Sequence, residues 1–173
     1  VSQRASGYER KADDAYYTPP WVTKALIPHL RIRPPARVRE PAAGNNAIVD
    51  VLTAAGFLVS YSDITHGINF LDTLRLAEDA VITNPPYNQS EEFIAHALDL
   101  TEPHGLVAML LRTDYDHAAT RAYLFDNEPF ARKVVLRKRI RWIPGSTGSP
   151  SFNHAWFVWD WRHRGPATIG YAR

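Results

Sequence analysis

The 173-residue chain has no cysteine and a single methionine. Disulfides, thiolate nucleophiles and cysteine-held zinc are therefore excluded. Long apolar runs are missing too: none approaches the roughly 20 residues that a membrane span needs, and no signal-peptide pattern opens the chain at Val1. A cytoplasmic protein with no membrane partner is expected. No internal repeat, low-complexity tract or Gly/Ser linker divides the chain, so one domain over residues 1–173 is expected, with residues 1–15 polar and flexible. None of the seven histidines stands at ligand spacing with another metal-binding residue, so no metal site is expected.

What the sequence has is 45% hydrophobic residues, enough for a sizeable core, and a mean hydropathy of -0.30, ordinary for a globular protein. The formal net charge of +2 hides an asymmetry. Residues 1–39 carry a net +5, residues 40–129 a net -11 and residues 130–173 a net +8. Basic ends suit a polyanion and an acidic middle suits a cationic or polar ligand, although solvated faces carry charge without any partner.

The apolar periodicity predicts a helix over "PPWVTKALIPHL", a strand at "ARVRE", a helix over "AIVDVLTAAG" stopped at Gly56, and a strand at "FLVSYSD". A short helix follows within 65–78, then a strand at "DAVITN" and a helix over "SEEFIAHALDLTEPHG" with Ser90 as N-cap. "LVAMLLR" is a buried strand by its continuous apolar run, and "HAATRAYLFDNE" a helix. "RKVVLRKRIRW" and "HAWFVWDW" are strands with only a loop between them, predicting an antiparallel hairpin at one edge. The alternation implies an α/β protein with an open, mostly parallel sheet and helices on both faces. Ligands of such sheets sit at the carboxyl ends of the strands.

Four loops fall there. "EPAAGNN" (40–46) offers Gly44 for a positive φ and close backbone approach, or is a plain strand-to-helix turn. "YSDI" ends its strand on Asp63, either an acceptor for ribose hydroxyls or a capping residue. "TNPPYNQS" carries one of three adjacent proline pairs, the others being "YTPPW" and "IRPPAR". Its prolines can hold the Asn84 side chain and the Pro85 carbonyl as fixed acceptors beside the flat ring of Tyr87, a set suited to a planar amine; the alternative is a stiff turn. "AYYTPPWV" places Thr18 to cap a proline-started helix whose free N–H groups suit a carboxylate.

In their order and spacing, "YYTPP", "EPAAGNN", "SDI", "NFLD" and "NPPY" resemble the S-adenosylmethionine-dependent amino-methyltransferases of DNA, from about Tyr16 to Trp161. The motif order matches the gamma arrangement of compact phage-type members, and "NPPY" points to N6-adenine. The resemblance implies the class I methyltransferase (Rossmann-like) fold, S-adenosylmethionine as cofactor, DNA as partner, and a bacterial or phage-infected host. It places Tyr17, Thr18 and Pro19 near the methionine carboxylate of the cofactor. Glu40, Pro41, Ala42 and Gly44 would line the methionine and ribose, Asp63 the ribose hydroxyls, and Asn69 and Phe70 the cofactor adenine. Asn84, Pro85, Pro86 and Tyr87 would take the target base. Two departures are Asn46, where a second glycine is usual, and Asn69, where an aspartate is common; Asn is the next best residue for a left-handed turn.

A duplex hides the target amine, so the base must be flipped and stacked. Tyr87 is the leading plate, with Phe152 or Trp142 as the second, whereas Trp156 and Trp159 are read as core. Arg132, Lys133, Arg137, Lys138, Arg139 and Arg141 are available for phosphate contacts, with Arg137, Arg139 and Arg141 favoured; an ordinary basic edge strand would look the same. The loop "PGSTGSP" is placed to order on the substrate. No separate target-recognition domain is present in the sequence, and a monomer or weak homodimer is expected. N4-cytosine, RNA adenine and protein glutamine remain alternative targets, and a non-catalytic nucleic-acid-binding subunit of the same fold is a further one.

Overall fold

The computed structural model describes residues 17–126, 129–142 and 152–172. The expected flexible stretch 1–15 and the loop "PGSTGSP" lie outside the described residues. Seven strands form one sheet in the order β2-β1-β3-β4-β6-β5-β7. They are β1 (Arg37–Glu40), β2 (Leu58–Tyr61), β3 (Ala80–Thr83), β4 (Leu106–Arg112), β5 (Phe130–Leu136), β6 (His154–Asp160) and β7 (Thr168–Ala172). β2, β1, β3 and β4 run parallel, β6 is antiparallel to both β4 and β5, and β7 runs parallel to β5.

Strand periodicity divides the core into two layers. In β4, Leu106, Ala108 and Leu110 join one apolar cluster while Val107, Met109 and Leu111 join the other. β6 divides likewise, Trp156 and Val158 facing one way, Ala155, Phe157 and Trp159 the other. A strand covered on both sides must be apolar at every position, which accounts for its unbroken run. α1 (Pro20–Leu26) and α2 (Ala47–Ala54) cover the first face through Val22, Leu26, Ile48 and Leu52. α3 (Ser90–Thr101) covers the second through Phe93, Ile94 and Ala97. Trp156 and Trp159 are fully buried, and their indole N–H groups donate to the carbonyls of Val22 (2.9 Å) and Leu124 (2.7 Å).

Several local expectations change. Gln89, not Ser90, is the N-cap of α3; the Ser90 hydroxyl instead donates to the Tyr87 carbonyl at 3.0 Å and meets the Tyr115 hydroxyl at 3.1 Å. Thr18 does not cap α1, whose N-cap is Pro19 without a side-chain bond. The segment 119–124 is a 3-10 helix rather than an α-helix, and its last carbonyl, that of Leu124, accepts from the Trp159 indole. The helix expected within 65–78 is two single 3-10 turns, 64–66 and 70–72. The basic strand stops at Leu136, so residues 137–142 leave the sheet. β7 was not anticipated; it lies outside the antiparallel β5–β6 pair and closes that side.

Replacing Trp156 by Phe is expected to cost about 1–3 kcal/mol in denaturant unfolding, because the buried indole bond to the Val22 carbonyl is lost and the smaller ring underfills the core.

Candidate functional site

Parallel strands deliver their following loops to one end of the sheet, and there the loops after β1, β2 and β3 enclose a cleft of about 360 Å³, within the usual range for a small-molecule site. Tyr17, Thr18, Pro41, Ala42, Gly44, Asp63, Asn69 and Phe70 line it, together with Asn84, Pro85, Pro86 and Tyr87. The loops that the resemblance gives to a cofactor and "NPPY" thus meet in a single cavity. Pro19 and Glu40 do not line it.

The backbone of the first loop explains its glycine. Gly44 has φ +50°, and a Cβ there would lie 3.5 Å from the Tyr17 ring. Asn46 has φ 64° and is the N-cap of α2, so the departure from glycine keeps the left-handed turn. Asp63 joins two loops: one carboxylate oxygen accepts from Gly44 N–H (2.8 Å), the other from Thr65 N–H (2.9 Å) and the Thr65 hydroxyl (2.6 Å). Burial opposes its charge, yet the bonds from Thr65 and Gly44 outweigh burial and hold the carboxyl below its ordinary range. The Asn69 amide oxygen accepts from Leu71 N–H at 3.2 Å, capping the 70–72 turn. Phe70 is buried against Phe93, ring centroids 5.1 Å apart.

Glu40 lies beneath this floor, fully buried, and accepts from Ala42 N–H at 3.0 Å. Burial raises its pKa from 4.5 to about 8, with the Asp63 carboxylate adding to the rise. The Thr83 hydroxyl, Ala42 N–H and Arg39 pull the other way. Its influence on the cleft passes through the Pro41–Ala42 backbone.

Sequence comparison returns no matching family model and no matching curated protein. Structural comparison does find similar folds. A Listeria monocytogenes protein named as a class I S-adenosylmethionine-dependent methyltransferase superposes with a TM-score of 0.61 at 13% identity, over 87% of this chain and 62% of its own. The methyltransferase subunit of a type I restriction-modification system from Streptococcus thermophilus gives 0.61 at 13%, over 91% and 47%. A Lactococcus lactis protein named as a hemolysin gives 0.58 at 12%, over 90% and 92%. The fold is that of the class I methyltransferases. The chain spans less than two thirds of the length of the first two of these structures.

Within this methyltransferase fold, the predicted substrate residues do not line the cleft, Tyr87 excepted. Phe152 is exposed, with the Arg112 guanidinium 4.1 Å from its ring centroid. Trp142 is half-buried and sets its ring edge against His154, centroids 5.2 Å apart. Arg137, Arg139 and Arg141 are exposed; Arg137 lies over Tyr171 and Arg139 donates to the Asn153 side chain at 2.9 Å. They follow the end of β5, so strand alternation does not govern them. Lys133, by contrast, is half-buried and paired with Asp116 (2.7 Å) and the Thr113 carbonyl (2.7 Å), and Arg132 donates to the Thr168 hydroxyl at 3.0 Å.

Sequence reasoning missed Thr65, which holds Asp63, and His154, which meets the Tyr87 hydroxyl at 3.1 Å. A hydroxyl two residues after a strand-ending Asp is a readable capping signal. His154 left none, because it sits at the head of an apolar strand on the far side of the long loop.

Two outcomes follow. Glu40 has a higher pKa folded than unfolded, so its contribution to stability is complete below about pH 4.5 and is lost as pH rises toward about 8. Glu40→Gln should therefore flatten the dependence of Tm on pH across that window and melt above the parent at its alkaline end. Gly44→Ala should cost about 1–2 kcal/mol through its positive φ, read as a lower Tm.

Proposed function

We propose that this chain transfers a methyl group from S-adenosylmethionine to the exocyclic N6 amino group of adenine in DNA. The observation that carries the reading is the meeting of Asn84–Tyr87 with Gly44, Asp63 and Asn69 in one cleft at the carboxyl ends of parallel strands. The likeness to class I methyltransferases, one of them a restriction-modification subunit, supports it.

The cleft fits the cofactor by its chemistry. Gly44 carries no Cβ where the loop must approach a ligand, Asp63 is an ionised acceptor suited to ribose hydroxyls, and Asn69 and Phe70 offer an amide and an aromatic edge to a purine. When bound, S-adenosylmethionine supplies a methyl group on a sulfonium centre, ready for displacement.

The rest falls to the chain. The adenine amine is a poor nucleophile because its lone pair is delocalised into the ring. Asn84 and the Pro85 carbonyl accept its two N–H bonds and so favour a pyramidal nitrogen with its lone pair directed at the methyl group. Pro85 and Pro86 fix those acceptors by their restricted φ, and Tyr87 stacks on the flipped base. Catalysis is then orientation and polarisation, with no nucleophilic side chain needed. Asp63, held ionised by its three hydrogen bonds, is a weak base and acts as an acceptor. Arg137, Arg139 and Arg141 supply exposed positive charge for the phosphate backbone.

Labelled methyl transfer onto DNA, RNA and protein, run side by side, tests this. The expected product is N6-methyladenine in DNA, and Asn84→Ala should lower turnover on the order of 10²-fold or more while calorimetry shows cofactor binding retained. Label confined to cytosine, RNA or protein glutamine would replace the adenine-DNA reading.

A further inference from the structure

Tyr87 is held at both ends by side chains outside the cleft lining. Its backbone carbonyl accepts from the Ser90 hydroxyl at 3.0 Å, and its phenol oxygen lies 3.1 Å from His154 Nε2. The two rings are inclined by 27°, with centroids 6.4 Å apart. His154 is the first residue of β6, paired with Arg112 at the end of β4, and is 3% exposed. The Trp142 ring packs edge-on against it. A buried side chain wedged between a strand and an indole cannot swing away without opening the sheet end, so the imidazole is a fixed anchor for the half-buried phenol.

We propose that His154 is a positioning residue: its imidazole tethers the Tyr87 hydroxyl and so fixes the ring that stacks on the target base. The proposal rests on the reading of Tyr87 as that stacking plate. Burial first, and the nearby Arg112 charge second, lower the His154 pKa to about 4. The ring is therefore neutral near pH 7, and in the tautomer with its proton on Nδ1 the Nε2 atom accepts the hydrogen bond that the phenol donates. A protonated imidazole would have no acceptor to offer. A tyrosine ring turns about two bonds, and a fixed hydroxyl removes most of that freedom before any base arrives, which lowers the entropy lost on stacking.

The test compares His154→Ala, His154→Gln, Tyr87→Phe and the double variant Tyr87→Phe/His154→Ala. His154→Ala and Tyr87→Phe are each expected to lower kcat on DNA on the order of tenfold, the worth of one hydrogen bond, with cofactor affinity unchanged. His154→Gln, which keeps an acceptor, should recover most of the loss, and the double variant should be no worse than either single one. Independently of substrate, the side-chain 15N resonance of His154 Nε2 should shift in Tyr87→Phe. An unmoved resonance, a double variant with multiplied losses, or His154→Gln as impaired as His154→Ala would overturn the proposal. A tether seen by resonance in a chain that methylates no DNA would leave the contact standing and overturn the adenine reading instead.

Discussion

The cleft depends on one carboxylate. Asp63, at the end of β2, holds the Gly44 N–H in the loop after the neighbouring strand, and Thr65 holds Asp63. That carboxylate ties down the loop at Gly44, one of two left-handed positions there, the other being Asn46. The bond is available because β1 and β2 are parallel and in register up to Glu40 opposite Tyr61, which brings the two loop starts side by side. The ladder continues past the strands, Ser62 N–H to the Glu40 carbonyl and Ala43 N–H to the Ser62 carbonyl, each at 3.0 Å. Sheet register and ligand-cleft geometry are therefore one property, not two.

Electrostatically, the molecule keeps its buried groups near the cleft neutral. Glu40 is held mainly protonated near neutral pH and His154 unprotonated, both chiefly by burial. Asp63 alone of these three keeps its charge, and three hydrogen bonds stabilise it. The positive charge is outside, on exposed Arg137, Lys138, Arg139 and Arg141. This arrangement separates the two charge blocks of the sequence: the acidic residues 40–129 supply the carboxylates at the cleft, and the basic end after β5 is exposed.

The parts legible in the sequence were those with a local cause. β3, β4 and β6 declared themselves by apolar runs that only a two-sided core needs, and Gly44, Gly56 and Asn46 by the conformations they permit. The "NPPY" segment could be placed at a strand end because prolines cannot continue a ladder. What was hidden depended on distant partners. The Trp159 indole holds the end of the 119–124 helix from 35 residues away, and His154 reaches Tyr87 across 67. Lys133 looked like its basic neighbours until Asp116 claimed it. β7 is short and contains Gly170, which weakens any strand signal.

Among the described residues the sheet ends in two short strands, β2 of four residues and β7 of five. Such margins are poor templates for a foreign chain, since a row of so few open backbone groups secures little pairing. At β7 the guard is tighter, for Gly170 lies so close to His29 that an added Cβ would fall 3.0 Å from the imidazole. β2 exposes Leu58 and Tyr61, greasy side chains that invite stacking in a longer strand. Brevity is thus what lets a sheet this apolar in its middle stay at seven strands instead of growing into a fibril.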